Sequence, residues 1–403
     1  MLESQIKERS LLLHKELMGK IEITSKVEVN SADDLSLTYT PGVAESCKAI
    51  AADEETAYDY TARGNMVAVV SDGTAVLGLG DIGPKAAMPV MEGKSILFKK
   101  FANVDAFPLC LGTTDVDEIV TIVKNLEPTF AGINLEDIAA PRCFEIEKRL
   151  KEETNIPVFH DDQHGTAIVV LAAVLNALKV VDKTMDEVKI VINGAGSAGI
   201  AIGKLLLKAG VNHMTLVSLE GIVCEEESWM NPAQIEIAKV TNREHVRGTL
   251  QEAIQGADIF IGVSAPNVLT KEHVKTMNEN PIVFAMANPV PEIFPEEALE
   301  AGAAVVGTGR SDYPNQVNNV LAFPGIFRGA LDVRATDVTE EMKLAAAYGI
   351  ANIITDEERN ANYVIPNPLD KRVVPSVAAA VAKSAIESGV AQIKKVPDYS
   401  IEQ

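Results

Sequence analysis

Cysteine is sparse in this chain: 403 residues contain four, Cys47, Cys110, Cys143 and Cys224, far apart and without a CxxC pair. That spacing signals neither a disulfide framework nor a zinc site, and predicts reduced, mostly buried thiols. Positive charge is also short, with 36 Lys and Arg against 57 Asp and Glu, a net charge of −21. An acidic surface repels phosphate backbones and anionic headgroups, so nucleic acid and membrane are disfavoured as partners. The longest apolar run, "AIVVLAAVLNALKVV" (167–181), is interrupted by Asn176 and Lys179. It falls short of the roughly 20 residues that span a bilayer and reads as a buried helix. The N-terminal stretch mixes charge with leucines at helical spacing and has no signal-peptide cleavage pattern, which points to the cytoplasm. Internal repeats and low-complexity linkers are absent.

With 47% hydrophobic and 23% charged residues, the chain has ample apolar surface for ordinary cores. Its length favours two domains, divided here as 1–160 and 161–403. Short β-branched runs, "MVAVVSDG", "SILFKKF" and "AGINLEDI", alternate with helical patterns such as "DVDEIVTIVKNL", the signature of an α/β fold. The second part opens with a strand, a glycine turn, a helix ending near Gly210 and another strand in "EVKIVINGAGSAGIAIGKLLLKAGVNHMTLVS". That is a βαβ unit, and "ADIFIGVS", "PIVFAMANP" and "AAVVGTG" extend it into a Rossmann-like, doubly wound parallel sheet. From Thr339 onward the pattern is helical, and those helices are expected to pack back on the body.

In "GAGSAG", Gly194, Ala195, Gly196, Ser197, Ala198 and Gly199 fit a dinucleotide turn, where backbone NH groups and a helix N-terminus hold a pyrophosphate. Two acidic clusters follow β-like runs: Glu136 and Asp137 in "NLEDI", and Asp161 and Asp162 in "VFHDDQHGTA". Oxygen donors from two strand ends suit Mg2+ or Mn2+, although Asp162 equally suits a cap for the helix beginning near Gly165. His160 and His164 read as hydrogen-bonding residues rather than ligands. Lys94 stands directly before an apolar run read as a strand, where it is either a strand-end lysine or a base whose pKa burial lowers. Tyr39 precedes a Thr-Pro-Gly turn, and Asn288 and Asn319 are amides suited to turns or to substrate.

In order, "YTPGVA", "SDGTAVLGLGDIGPKAAMPVMEGK", "GINLEDIAAPRCFEIE", "VFHDDQHGTA", "NGAGSAG", "MANPVPE" and "NNVLAFPGIFRGAL" resemble the malic enzyme family in its short bacterial form. The resemblance implies an N-terminal α/β substrate domain, a Rossmann-like nucleotide domain and a metal-holding cleft between them. It makes Glu136, Asp137 and Asp162 metal ligands, Tyr39 and Lys94 the catalytic pair, Asp161 a supporting carboxylate, and Asn288 and Asn319 substrate amides. The implied reaction oxidises L-malate at C2 and decarboxylates the resulting oxaloacetate to pyruvate. Lys94, relayed through Tyr39, takes the hydroxyl proton, and Tyr39 protonates C3 of the enolate. A homodimer is implied as well. The alternative is a relative that decarboxylates oxaloacetate without a nucleotide. Longer members carry a substrate-binding arginine where this chain has Ala75, so carboxylate recognition must come from elsewhere.

Ser218 occupies the position where a Rossmann unit usually keeps an acid for the ribose hydroxyls. A small residue there admits the 2'-phosphate of NADP, but only with a cation beside it. Glu220, Glu225, Glu226 and Glu227 follow with no Lys or Arg among them. Two readings remain: NAD is used rather than NADP, with Glu220 reaching the ribose, which is the expectation here, or the nucleotide site has lost its selective pressure in an enzyme that starts from oxaloacetate.

Overall fold

The computed structural model describes residues 2–76 and 78–400. Among them, nine strands form two entirely parallel sheets. The first contains β1 (Met66–Ser71), β2 (Asp105–Cys110), β3 (Gly132–Leu135) and β4 (Val158–His160), in the order β2-β1-β3-β4. The second contains β5 (Lys189–Asn193), β6 (His213–Val217), β7 (Ile259–Gly262), β8 (Ile282–Ala285) and β9 (Val305–Thr308), in the order β6-β5-β7-β8-β9. Strands this short and apolar are stable only with helices on both faces, and every residue of β7, β8 and β9 is buried. Each sheet reverses its strand order beside its first strand. Such a switch point opens a crevice beyond the carboxyl ends of the strands.

The register fixes what those ends present. Leu135 of β3 pairs with His160 of β4, so Glu136 and Asp161 leave the sheet side by side. Asn193 pairs with both Val217 and Gly262, which places the glycine turn between the ends of β6 and β7.

Four sequence expectations need correction. "SILFKKF" is not a strand but the second half of a helix, Pro84–Ala102, so Lys94 sits mid-helix. Ala87, Met91, Ser95, Phe98 and Ala102 are its buried residues, spaced by three or four; the local run of Ile96, Leu97 and Phe98 masked that period. The strand in this region is instead β2, "DAFPLC", whose Pro108 is tolerated at the sheet edge. Asp162 caps no helix: 161–165 form a π-helical turn, and the helix Thr166–Val181 has Gly165 at its N-cap with no side-chain bond. The thiols are all free but not mostly buried, since Cys47 is exposed and Cys110 intermediate. Together with the π turn, the apolar helical segment runs over 21 residues, Asp161–Val181, longer than expected, and two thirds of it (67%) is buried inside the protein.

The C-terminal helices Phe323–Asp332, Glu340–Ala351 and Val373–Glu387 do pack back. Phe323 and Phe327 meet Phe98 of the Lys94 helix at 4.7 and 5.3 Å between ring centroids. The N-terminal helices behave differently. Ala32–Thr38 and Val43–Ala52 contain no buried residue, and Leu11, Leu17, Val29, Leu37 and Tyr39 lie exposed.

Candidate active site

The first crevice gathers four carboxylates around one ammonium. Successive strand residues point to opposite faces, yet Glu136 and Asp137 serve the same crevice because Asp137 turns left-handed at φ +54°. The carboxylates of Glu136, Asp137 and Asp162 approach within 4.8 Å of one another. Asp162 Oδ2 accepts the Asp137 backbone NH at 2.8 Å, which ties the two strand ends together. Lys94 Nζ donates to Asp161 Oδ2 at 2.6 Å, pairs with Glu136 Oε1 at 2.8 Å, and lies 4.2 Å from the centroid of the Phe323 ring. Asn319 Nδ2 donates to Asp161 Oδ2 at 3.1 Å, while Thr166 holds the amide oxygen.

The electrostatics call for another cation. Burial, then the charge of Asp162, pushes Asp137 up to about 8, and burial likewise raises Glu136 and Asp161 although Lys94 opposes it. Asp137 Oδ2 and Asp161 Oδ1 are buried without a hydrogen-bond partner. Unpaired buried carboxylate oxygens in a convergent set fit a hard divalent cation. For Lys94, the expected depression is reversed. Burial pushes its pKa down, but Asp161 and Glu136 outweigh it and hold the ammonium above the ordinary lysine range.

The histidines divide. His164 is hydrogen-bonded as expected: Nε2 meets Glu147 Oε1 at 2.7 Å, and Lys343 Nζ donates to Nδ1 at 3.0 Å. His160 is not, because both its ring nitrogens are buried without a partner, with Nδ1 3.6 Å from Asp162. Tyr39 stands apart from the cluster. It is 66% exposed and makes none of the bonds that hold Lys94. Asn288 is also outside the cluster's hydrogen bonds, its amide 3.5 Å from the Met286 carbonyl. Sequence reasoning missed Arg142, which grips Asp72 at 2.8 Å and Thr74 at 3.0 Å and so fixes the loop after β1.

The second crevice is a cavity of about 550 Å3 lined by Gly194, Ala195, Gly196, Ser218, Asn231 and Ser264, among others. Gly199 is demanded by packing, since a Cβ would lie 1.8 Å from the Gly194 carbonyl. A Cβ on Gly196 would meet nothing within 4 Å, so that glycine leaves open a cradle that a ligand can enter. No side chain caps the helix Ser197–Lys208, so its first NH groups are free of internal caps, as pyrophosphate binding requires. Ser218 Oγ donates to Glu220 Oε2 at 2.6 Å, and this bond lowers the Glu220 pKa. A cation invisible in the local sequence does reach this edge: Arg247, held by Glu226 at 3.3 Å and Glu227 at 3.2 Å. Two carboxylates already offset its charge, so the edge remains acidic.

A carboxylate cluster fit for a divalent cation at one switch point and a cavity fit for a dinucleotide at another are the features of a metal-assisted, nucleotide-linked enzyme of α/β architecture. The malic enzyme N-terminal domain model matches residues 18–151, and the malic enzyme NAD-binding domain model matches 163–386. The chain is 62% identical to the bifunctional malic/malolactic enzyme of Bacillus subtilis, over 99% of this chain and 97% of that one. It is 59% identical to an NAD-dependent malic enzyme of Geobacillus stearothermophilus, over 97% and 81%. The crystal structure of malic enzyme from Pyrococcus horikoshii superposes with a TM-score of 0.93 at 51% identity, covering 97% of this chain and 93% of that one. The chain belongs to the malic enzyme family.

Proposed function

We infer that this protein oxidises L-malate at C2 and decarboxylates the product to pyruvate and CO2, using Mg2+ or Mn2+ and NAD. The observation that carries the reading is the pairing, in one chain, of the Lys94-centred carboxylate cluster with an open dinucleotide cradle. Decarboxylation of oxaloacetate needs only the first. Glu136, Asp137 and Asp162 would hold the metal, which supplies Lewis-acid charge for the C2 oxygen and the enolate. NAD would lie over Gly196, with Gly194, Ala195, Ser197, Ala198 and Gly199 shaping the turn and Glu220, seated by Ser218, meeting the ribose. Asp161 and Glu136 hold Lys94 as an ammonium in the metal-free site, so it would take the C2 hydroxyl proton only where a bound cation offsets those carboxylates; Asp161 orients its amine, and Asn288 and Asn319 receive the substrate. We place the division between substrate and nucleotide halves at 160, just before the π turn, and the protein in the cytoplasm, where four free thiols stay reduced. The test is [2-2H]malate: its deuterium should appear in the reduced nicotinamide. Pyruvate formed without transfer of that label overturns the reading.

The exposed Tyr39 bears on assembly. Its segment offers apolar side chains with nothing over them, while the buried Lys94 lacks its tyrosine. A second copy of the chain answers both, as a homodimer in which Tyr39 of one subunit completes the Lys94 site of the other. Mixing Lys94→Ala with Tyr39→Phe chains then regenerates activity. Half the dimers are hybrids with one intact site of two, which gives about a quarter of wild-type activity. No regain would mean that each chain supplies its own tyrosine.

A further inference from the structure

The motif "MANPVPE" ends in Glu292, whose carboxylate is fully buried and has no place in the chemistry above. Its partners are two backbone NH groups and a hydroxyl. Oε1 accepts from Ser264 N at 2.9 Å and from Ser264 Oγ at 3.3 Å, and Oε2 accepts from Ala287 N at 3.0 Å. Burial raises the Glu292 pKa, and the Ala287 and Ser264 bonds oppose that rise. A buried carboxylate is costly, and a neutral residue would fill the same volume at less expense of desolvation. What the carboxylate provides is two acceptor atoms facing two different loops.

Those loops belong to different halves of the site. Ser264, with Ala265 and Val268, lines the nucleotide cavity, and Asn193 Nδ2 at the switch point donates to Ser264 Oγ at 2.7 Å. Ala287 immediately precedes Asn288. The backbone continues the join: Asn267 N donates to the Pro291 carbonyl and Leu269 N to the Glu292 carbonyl, both at 3.0 Å. The Asn288 carbonyl in turn lies 3.3 Å from the Cβ position of Gly78, on the glycine loop of the first half. Gly262 leaves room for the arrangement, because a Cβ there would stand 2.4 Å from the Glu292 carboxyl carbon.

We propose that Glu292 is a positioning residue that couples occupation of the nucleotide cavity to the placement of Asn288, so that NAD and the dicarboxylate bind cooperatively through it. The proposal rests on Asn288 and the cavity having the roles assigned above. Glu292→Gln keeps shape but turns an NH2 toward a backbone NH, so one of the two loops must let go.

The test is a calorimetric titration of NAD with and without Mn2+ plus tartronate, a shorter 2-hydroxydicarboxylate. In the wild type, tartronate should tighten NAD by about tenfold, and NAD should tighten tartronate by the same factor. In Glu292→Gln that factor should fall toward one. In an Asn288→Ala background, Glu292→Gln should weaken tartronate no further, the non-additivity expected if Glu292 acts through Asn288. Glu292→Asp, which keeps the charge but is too short to reach both loops, gives the same reading if the glutamine variant does not fold. Undiminished coupling in these variants, additive losses, or no coupling in the wild type overturns the proposal. Wild-type turnover of malate with NAD is measured alongside. Its absence sinks the functional reading, whereas turnover with uncoupled binding sinks only the role of Glu292.

Discussion

Glu136→Gln should leave metal-free stability nearly unchanged while it weakens metal binding. Glu136 is buried, pairs with Lys94 at 2.8 Å and accepts from Asn134 Nδ2 at 2.8 Å. Its substitution removes a carboxylate that burial raises and that Asp162, Asp161 and Asp137 repel. Lys94 keeps its second partner, Asp161, so the metal-free variant should unfold close to the wild type. Its response to metal should collapse. At a concentration one hundred times its Kd, a ligand stabilises the native state by about 2.7 kcal/mol. Loss of one anionic ligand of three, taken as a weakening of about a hundredfold, reduces that at the same concentration to about 0.4 kcal/mol. Thermal unfolding with EDTA and with Mn2+ reads both quantities, and malate turnover should be lost in parallel. A full Mn2+ shift in both Glu136→Gln and Asp162→Asn would refute the assignment of the centre.

Metal binding should also depend on pH. The Asp137 pKa is about 8 in the native chain against an ordinary 3.8. The native state therefore holds a proton that the unfolded chain has released, and metal-free stability falls as pH rises between those values. Mn2+ displaces that proton, so its stabilising shift should be larger at pH 8 than at pH 6; an equal shift at both contradicts the assignment. Gly196→Ala should fold normally but bind NAD about tenfold more weakly, since its methyl enters the cradle, whereas Gly199→Ala should fail to form the turn. Circular dichroism and NAD titration separate the two, and matching phenotypes would be the wrong result. Tyr39→Phe should allow enolate formation but slow protonation at C3, so that released enolpyruvate ketonises in solution and solvent deuterium enters C3 without stereospecificity; unchanged rate and stereochemistry of labelling would make the tyrosine structural.

The strand ends were legible because a parallel sheet presents its chemistry where an apolar run stops. "NLEDI", "VFHDDQHG" and "NGAGSAG" each mark such a stop, and the register confirms that the ends converge. Lys94 was misplaced because four residues of "SILF" look alike in a strand and in a helix, and only the longer spacing from Ala87 to Ala102 distinguishes them. Edge strand β2 was hidden by its own proline. Arg247 and Glu292 act across loops that meet only in three dimensions, so no local spacing announced them. The exposure of Tyr39 is different again, since a segment without buried residues depends on what covers it.

One assay tests most directly whether the Lys94-centred carboxylate cluster and the dinucleotide cradle serve one reaction. The purified chain should be given Mn2+ with malate and either NAD or NADP, and separately Mn2+ with oxaloacetate and no nucleotide. Stoichiometric pyruvate and NADH from malate, with NAD preferred to NADP, is the predicted result. No nicotinamide reduction with malate, alongside rapid nucleotide-free formation of pyruvate from oxaloacetate, would contradict it.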